Sequence, residues 1–300
     1  MKSSLSRVAE YEGAFAQGVN REHVLACADR IPPMPHAVLR VLKLLDDPDS
    51  DASHLAEAVS SDPVLASALL RLANTTAFAQ AGVVASAEQA VTAVGFAKLR
   101  SLVLATTLRG MVTFAPADQL VWANALATAM IAQRLAREVA PSSADEVFLM
   151  GLLHGLGQLV LLASKDTRAT YSQVLRRIRE THVDYVAAEV EEIGFSHPMI
   201  GALVASRWNL PPEVCQTILR YHDPMEGIDT PADVKLALVK LSDLVAHAAN
   251  LGQPEGFPVD VETIEQLARW LGLDLPADGI VTVLIDEAQT QFKAEAHLWA

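Results

Sequence analysis

Several polar side chains lie in otherwise apolar stretches of this chain and far from one another in sequence. They are Asn124, His154, His197, His222 and Asp243. Imidazole nitrogens and a carboxylate from separate helices can meet in the core of a helical bundle and hold a divalent metal ion there. A histidine on an apolar helix can equally be a core residue whose ring nitrogens are satisfied by hydrogen bonds. The residue types alone allow both interpretations.

His154 is the most conspicuous of these residues because its surroundings, VFLMGLLHGLGQLVLL (147–162), are almost wholly apolar. Ser143 and Glu146 have the spacing of a capping box, which predicts the start of a helix that contains His154. Asp243 lies in the apolar segment ALVKLSDLVAH (237–247), and a buried carboxylate needs a partner. We therefore expect a hydrogen bond between His154 and Asp243.

The two remaining histidines have local alternatives. His197 precedes Pro198 and could either cap a helix or face a pocket, whereas His222 in YHDP could be a surface residue. The basic cluster Leu175–Arg179 is predicted to be one solvated face of a helix.

The elements that carry these residues are predicted to be helices throughout. Hydrophobic residues make up 51% of the 300 residues and aromatic residues only 5%, so the core is built from Leu, Val and Ala. No alternating apolar run ends in a hairpin turn. Asp62 before Pro63, and Ser86 with Gln89, are predicted helix N-termini. Behind Pro63, one apolar helix stripe is predicted, formed by Val64, Leu65, Ala68, Leu69 and Leu72. Apolar spacing predicts further helices at 96–111, 116–139, 167–181, 183–192, 198–208, 212–221, 232–250, 260–271 and 277–298.

The predicted organisation is an all-α multi-helix bundle with an extension at 1–19 and subdomains at 20–112 and 113–300. The formal net charge of −13 disfavours nucleic acid and anionic lipid as partners. Cys27 and Cys215 lack CxxC spacing and suit a reducing compartment. The N-terminus has no apolar signal region, and no run is expected to span a membrane. These features predict a cytoplasmic protein.

Six stretches, taken in order, resemble the HDOD family, whose C-terminal half is a variant of the HD phosphohydrolase fold. They are IPPMPHAVLRVLKLLDD (31–47), SSDPVLASALLRLANTTAF (60–78), AVTAVGFAKLRSLVLA (90–105), VFLMGLLHGLGQLVLL (147–162), EEIGFSHPMIGALVASRWNLPPEVCQTILRYHDP (191–224) and ALVKLSDLVAH (237–247). The resemblance covers the chain from about residue 21 to about residue 250. It implies an N-terminal helical subdomain packed on a degenerate HD-type subdomain.

The resemblance also implies where an HD metal site would lie. The family's first histidine falls on Asn124, its His-Asp pair on His154 and Gly155, a later histidine on His197 and its last aspartate on Asp243. In the related HD-GYP enzymes, a pair of adjacent histidines falls on Tyr221 and His222. Gly155 offers no side-chain ligand, and an amide oxygen such as that of Asn124 binds transition metals far more weakly than imidazole. We therefore expect a remnant pocket without a metal or other cofactor.

The function implied by this resemblance is a non-enzymatic bacterial signalling module. Its partner would be a protein or a small nucleotide-like ligand, and any input or output domain would be a separate chain. The alternative is a divergent metal-dependent phosphohydrolase that acts on a nucleotide with a site rebuilt from His154, His197, His222 and Asp243. A third interpretation is a structural scaffold in which these residues belong to core or surface.

Overall fold

The computed structural model describes residues 34–75, 83–113, 115–224, 231–252, 258–276 and 279–299. Within these ranges the chain forms α-helices and short 3₁₀-helices and contains no β-strand, which confirms the predicted all-α fold class. The described residues form two compact units, one of residues 33–111 with 291–300 and the other of residues 112–290. Residues 291–300 thus cluster with the first unit, although the sequence placed them in the second subdomain. The predicted 1–19 extension, and Cys27, lie outside the described residues.

The first unit contains five α-helices and a C-terminal 3₁₀-helix: α1 His36–Leu45, α2 Ala52–Ser60, α3 Pro63–Ala73, α4 Ala87–Val94, α5 Phe96–Met111 and the 3₁₀-helix Ala296–Trp299. Two predicted N-termini are confirmed. The Asp62 carboxylate accepts hydrogen bonds from the first backbone N–H groups of α3, and Ser86 and Gln89 form a reciprocal capping box on α4. One apolar position was wrong, because Val64 in the first turn of α3 is 65% exposed.

The second unit carries all the candidate site residues. Its helices are α6 Pro116–Val139, α7 Ala144–Leu153, α8 Leu156–Ala163, α9 Arg168–Thr181, α10 Tyr185–Ile193, α11 His197–Arg207, α12 Pro212–Arg220, α13 Pro231–Ala248, α14 Val261–Trp270 and α15 Ile280–Glu295, with a 3₁₀ turn at Pro141–Ser143. Helix α6 packs against α7 and α13, and α11 packs against α8 and α12. A Cβ on Gly151 of α7 would lie 2.8 Å from the Ala129 Cα of α6, so small residues bring these two helices close together.

The apolar stretch around His154 is not one uninterrupted helix. Helix α7 ends at Leu153 and α8 begins at Leu156, so His154 and Gly155 form the junction between them. The predicted capping box at its start was also wrong. Ser143 makes no capping hydrogen bond, and the Glu146 carboxylate pairs instead with the Lys235 ammonium at 2.7 Å. His154 keeps helical backbone dihedrals (φ −56°, ψ −40°), and its side chain reaches Asn124 of α6 and Asp243 of α13.

Glycine determines the close contact between α8 and α11. A Cβ on Gly157 would lie 1.9 Å from the carbonyl oxygen of His197, and the Gly157 N lies 3.0 Å from the position a Gly201 Cβ would take. No larger residue fits at Gly157 without a shift of backbone. This contact fixes the start of α11, and therefore His197, against the segment that follows His154.

One stretch, Pro141–Ala163, is long and apolar enough to cross a membrane by length and composition, contrary to the expectation that no run approaches that length. Of the 18-residue window that meets this test, 89% is buried within the fold. The bent pair Ala87–Val94 and Phe96–Met111 meets the same test only when both helices are taken together.

Candidate functional site

The structure brings three of the predicted residues together around one carboxylate oxygen. The Oδ1 atom of Asp243 on α13 accepts a hydrogen bond from the Asn124 amide of α6 at 3.2 Å and lies 3.3 Å from the His154 Nε2. A further histidine, His247, lies one turn along α13 with its Nε2 3.2 Å from the same oxygen. Asp243 is 5% exposed and His154 is 2% exposed. We call Asn124, His154, Asp243 and His247 the remnant cluster.

Both ring nitrogens of His154 face oxygen atoms. Its Nδ1 lies 2.6 Å from the Gly151 carbonyl oxygen, which can only accept. Its Nε2 lies 3.0 Å from the Asn124 Oδ1 and 3.3 Å from the Asp243 Oδ1. If the Asn124 amide nitrogen and oxygen were exchanged, the amide oxygen would face the Asp243 carboxylate, and two acceptors would be in contact. The ring is therefore held between the Gly151 carbonyl on one side and the Asn124 and Asp243 oxygens on the other.

The same contacts explain the electrostatics of Asp243. Burial by itself raises the pKa of a carboxyl group, but the neighbouring His247, the His154 hydrogen bond and the His154 charge outweigh burial and hold the pKa of Asp243 well below its usual range. Burial lowers the pKa of His247, with Asp243 acting in the opposite direction. The neighbouring His247 and His154 therefore keep the Asp243 carboxylate ionised.

A second buried network lies behind the remnant cluster. His197, the first residue of α11, contacts both Glu189 carboxylate oxygens through Nδ1 at 2.8 Å, and its backbone N–H donates to Glu189 at 2.7 Å. The Tyr171 hydroxyl donates to Glu189 at 2.7 Å, and the Tyr221 hydroxyl contacts the His197 Nε2. Glu189 and His197 are fully buried. Since both ring nitrogens of His197 are occupied, it is not available to complete a two-histidine, one-carboxylate site with His154.

Tyr221 separates the two networks. Its ring meets the His154 ring edge-on with centroids 5.0 Å apart, and its hydroxyl faces His197. Burial, followed by the charges of Asp243 and Glu189, raises the pKa of Tyr221 well above its ordinary value, so the phenol stays protonated and can donate. His222 packs on Tyr221 with ring centroids 4.1 Å apart. Burial and the neighbouring His197 lower the pKa of His222 to about 3, so this ring is neutral near pH 7.

Gly155 lies beside the cluster with room for a side chain. A Cβ there would meet only the Gln158 Oε1 at 3.7 Å and the Val121 Cγ1 at 4.0 Å, and both are ordinary contact distances. The carboxylate that the HD pattern requires at this position is missing because of the residue type and not because of crowding.

The residues present do not fit a divalent metal ion. His154 and His247 contact a single Asp243 oxygen directly, the amide of Asn124 is a weak ligand for transition metals, and Gly155 supplies no ligand. Among the described residues, no group of three or more His, Cys, Asp or Glu side chains could hold a metal ion. The chain retains the position of an HD site and fills it with hydrogen bonds.

A small cavity of about 20 Å³ opens onto the remnant cluster. Its lining includes Asn124, His154, Tyr221, His222 and Asp243 from the predicted set, together with Gln158, Tyr185 and His247. His197 lies behind Tyr221 and does not line it. His247 was not among the predicted residues, although its i+4 spacing from Asp243 places both on one helix face. Glu189 was not predicted either, and no local signal distinguishes this residue from Glu191 and Glu192.

The fold is helical in all described residues, and the cluster contains the positions at which the sequence resemblance placed an HD-type metal centre. The family model for the HDOD domain matches residues 31–224, and the chain belongs to the HDOD domain family. A curated protein of Treponema pallidum (strain Nichols), named only as uncharacterized, is 30% identical over 202 residues. That match covers 65% of this chain and 38% of the relative, so the chain spans well under half of that protein's length.

Solved structures share the fold. An HDOD domain protein of unknown function from Geobacter sulfurreducens superposes with a TM-score of 0.72 at 24% identity, covering 94% of this chain and 99% of the other. A candidate phosphohydrolase from Shewanella amazonensis SB2B superposes with a TM-score of 0.69 at 25% identity, covering 93% of this chain and 98% of the other. A candidate signal transduction protein from Marinobacter aquaeolei VT8 superposes with a TM-score of 0.68 at 24% identity, covering 93% of this chain and 65% of the other.

Proposed function

We propose that this HDOD protein is a non-catalytic regulatory module that acts by binding a protein partner or a small ligand at the remnant pocket. The observation that carries the proposal is the convergence of Asn124, His154 and His247 on Asp243. An HD hydrolase would use such histidines and carboxylates to hold metal ions that activate water. Here the same groups neutralise one another, and Gly155 supplies no carboxylate.

Two features of the pocket suit recognition. It is lined by aromatic rings and by polar groups held in place through buried hydrogen bonds. The neutral His222 ring offers one hydrogen-bond donor and one acceptor to the pocket.

The chain's acidic balance supports the expectation that nucleic acid and membranes are not partners. We propose a cytoplasmic location because two cysteines without CxxC spacing suit a reducing compartment.

The second candidate is a divergent metal-dependent phosphohydrolase that acts on a nucleotide. Two observations favour it, namely the name of the Shewanella relative and the presence of three histidines beside Asp243 in one pocket. This activity would require His154 and His247 to exchange their contacts with the Asp243 oxygen for contacts with a metal ion.

A hydrolysis assay decides between the two. The protein is purified without chelators, its bound metal is measured, and a generic phosphodiester is incubated with it and added Mn²⁺. We expect no turnover above the blank. Stoichiometric metal, together with turnover that is lost in His154→Ala, would establish the hydrolase and overturn the regulatory proposal. A pull-down with wild-type protein and Asp243→Asn then tests the binding role, since a specific partner should be lost with the variant.

A further inference from the structure

A groove adjoining the remnant pocket combines arginine side chains with an apolar wall. It has a volume of about 140 Å³ and runs between α6, the C-terminal half of α9 and the start of α10. Val121, Tyr185 and Gly252 line both the groove and the remnant pocket, so the two spaces are adjacent. We call this space the arginine groove.

One face of α9 supplies its polar wall. Ser172, Leu175, Arg176 and Arg179 line the groove, and their i, i+3, i+4, i+7 spacing places them along a single stripe of the helix. Arg177, between the two groove arginines in sequence, points elsewhere and pairs with the Glu191 and Glu192 carboxylates at 2.7 and 2.6 Å. The basic cluster predicted as one solvated face is therefore divided between two faces.

The positive charges of the two groove arginines are not neutralised by a carboxylate among the described residues. Neither Arg176 nor Arg179 forms an ion pair with a carboxylate in the part of the chain that the structure describes. The nearby Asp118 is buried and committed to Arg168, which approaches it at 2.8 and 3.2 Å. Asp184, before Tyr185, accepts a hydrogen bond from the Ala187 N–H at the start of α10. In a chain with a net charge of −13, two such arginines at one cavity form a local anion-attracting site.

The opposite wall of the groove is apolar and aromatic. Leu120 is 37% exposed although it is a large hydrophobic residue, and Val121 and the Tyr185 ring continue this surface toward the remnant pocket. Exposed apolar surface next to available guanidinium groups matches a ligand that has a flat apolar part and an anionic group. Two adjacent guanidinium groups bind the oxygens of phosphate in particular, because their N–H donors match its geometry.

We propose that the arginine groove binds a small phosphate ester of the nucleotide class. Arg176 and Arg179 hold the phosphate, and the base lies against Leu120, Val121 and Tyr185 toward the remnant pocket. This inference rests on the proposed regulatory function and specifies the ligand of that site. Since Tyr185 contacts both spaces, a bound base reaches the same ring that stacks on His247, with centroids 6.3 Å apart.

Calorimetric titration of the full chain tests the proposal. The probes are guanosine 5′-monophosphate and adenosine 5′-monophosphate, with the unphosphorylated nucleosides and inorganic phosphate for comparison. We expect at least one nucleotide to bind more tightly than its nucleoside and more tightly than phosphate alone. The double variant Arg176→Gln/Arg179→Gln should weaken this binding roughly tenfold or more, since each charge-assisted hydrogen bond to a phosphate contributes strongly.

The matched control is Arg177→Gln/Arg269→Gln, which removes two positive charges from exposed ion pairs outside the groove. Its affinity for the nucleotide should stay within a factor of about two of wild type, because both arginines are already paired with carboxylates and neither lines the groove. Equal weakening in both double variants, or no nucleotide binding by a folded wild-type chain, would overturn the groove as a phosphate site. Phosphate binding as tight as nucleotide binding would contradict the role of the apolar wall.

Phosphorus NMR on the same samples separates this proposal from the regulatory one. If the nucleotide binds through the arginines and stays intact, both proposals stand. If it binds through the arginines and is hydrolysed, the groove assignment stands and the non-catalytic function is wrong. If it neither binds nor reacts, the groove assignment fails while the non-catalytic function is unaffected.

Discussion

Replacing Asp243 by asparagine removes the charge on which the remnant cluster depends and keeps the shape of the side chain. In the wild-type chain, one buried carboxylate oxygen is approached by Asn124 at 3.2 Å, His154 at 3.3 Å and His247 at 3.2 Å. In Asp243→Asn the buried side chains of Asn124, His154 and His247 face a neutral amide where the carboxylate stood.

The magnitude follows from the burial of both partners. Breaking a buried ion pair by removing one partner costs about 3–5 kcal/mol. The amide oxygen of the introduced side chain can still accept one hydrogen bond, so we expect a loss near the lower end, about 3 kcal/mol. For a unit of this size, such a loss lowers Tm by roughly 6–12 °C.

The assay is scanning calorimetry at pH 7, combined with hydrogen exchange of peptides from α6 and α13 to report on this unit. Asp286→Asn, an exposed position on α15, is the matched control and should change stability by no more than about 0.5 kcal/mol.

The effect of Asp243→Asn should also depend on pH. Because the pKa of Asp243 is lowered in the folded state, the contribution of Asp243 to stability is present above the unfolded value of about 4 and is lost as the pH falls further. Wild type and variant should therefore converge in acid.

Two results would refute this reasoning. The first is a loss under about 0.5 kcal/mol at pH 7, which would mean that Asp243 is not in a buried pair. The second is a difference between wild type and variant that stays constant as the pH falls well below 4, which would mean that the charge of Asp243 is not responsible.

Three other substitutions probe the packing and charge of the same unit. Gly157→Ala should lower the free energy of unfolding by about 1–3 kcal/mol, because the new Cβ would strike the α11 backbone, whereas Gly155→Ala should be nearly neutral. Thermal denaturation of both variants measures the difference, and equal effects would contradict the packing at Gly157. Glu189→Gln should cost about 3 kcal/mol by disrupting a buried pair, and Glu191→Gln about 0–1 kcal/mol at an exposed one, as urea denaturation can measure. His222→Asn should flatten the fall in stability between pH 6.5 and pH 3, because the lowered pKa of His222 makes the unfolded state bind more protons in that range; an unchanged slope would exclude it as the source.

Much of the fold could be predicted because local signals determined the helices. Asp62 and Ser86 cap helices as their spacing predicted, and the helices from Phe96 onward begin and end within a few residues of the expected positions. Signals that depended on tertiary packing were less successful. Val64 fitted an apolar stripe and yet is exposed, and Ser143 had capping-box spacing although Glu146 pairs with a lysine from another helix.

The site was partly foreseeable for a similar reason. The contact between His154 and Asp243 could be expected, since a buried carboxylate requires a partner, and the structure places them 3.3 Å apart. The pairing of His197 with Glu189 depends on the turn between α10 and α11, and nothing in the sequence distinguishes Glu189 from its exposed acidic neighbours. The structure also shows that Tyr221 stands between His197 and the cluster, which no spacing argument could predict.

We propose that Asn124 and Gly155 are the reason the remnant cluster holds hydrogen bonds in place of a metal ion. The deciding experiment is titration of Mn²⁺ into wild type and into Asn124→His/Gly155→Asp, followed by calorimetry and by metal analysis after desalting. The space at the Gly155 Cβ admits the new side chain. We predict no stoichiometric metal in wild type and stoichiometric metal in the double variant. Stoichiometric Mn²⁺ in wild type, lost in His154→Ala, would contradict the claim.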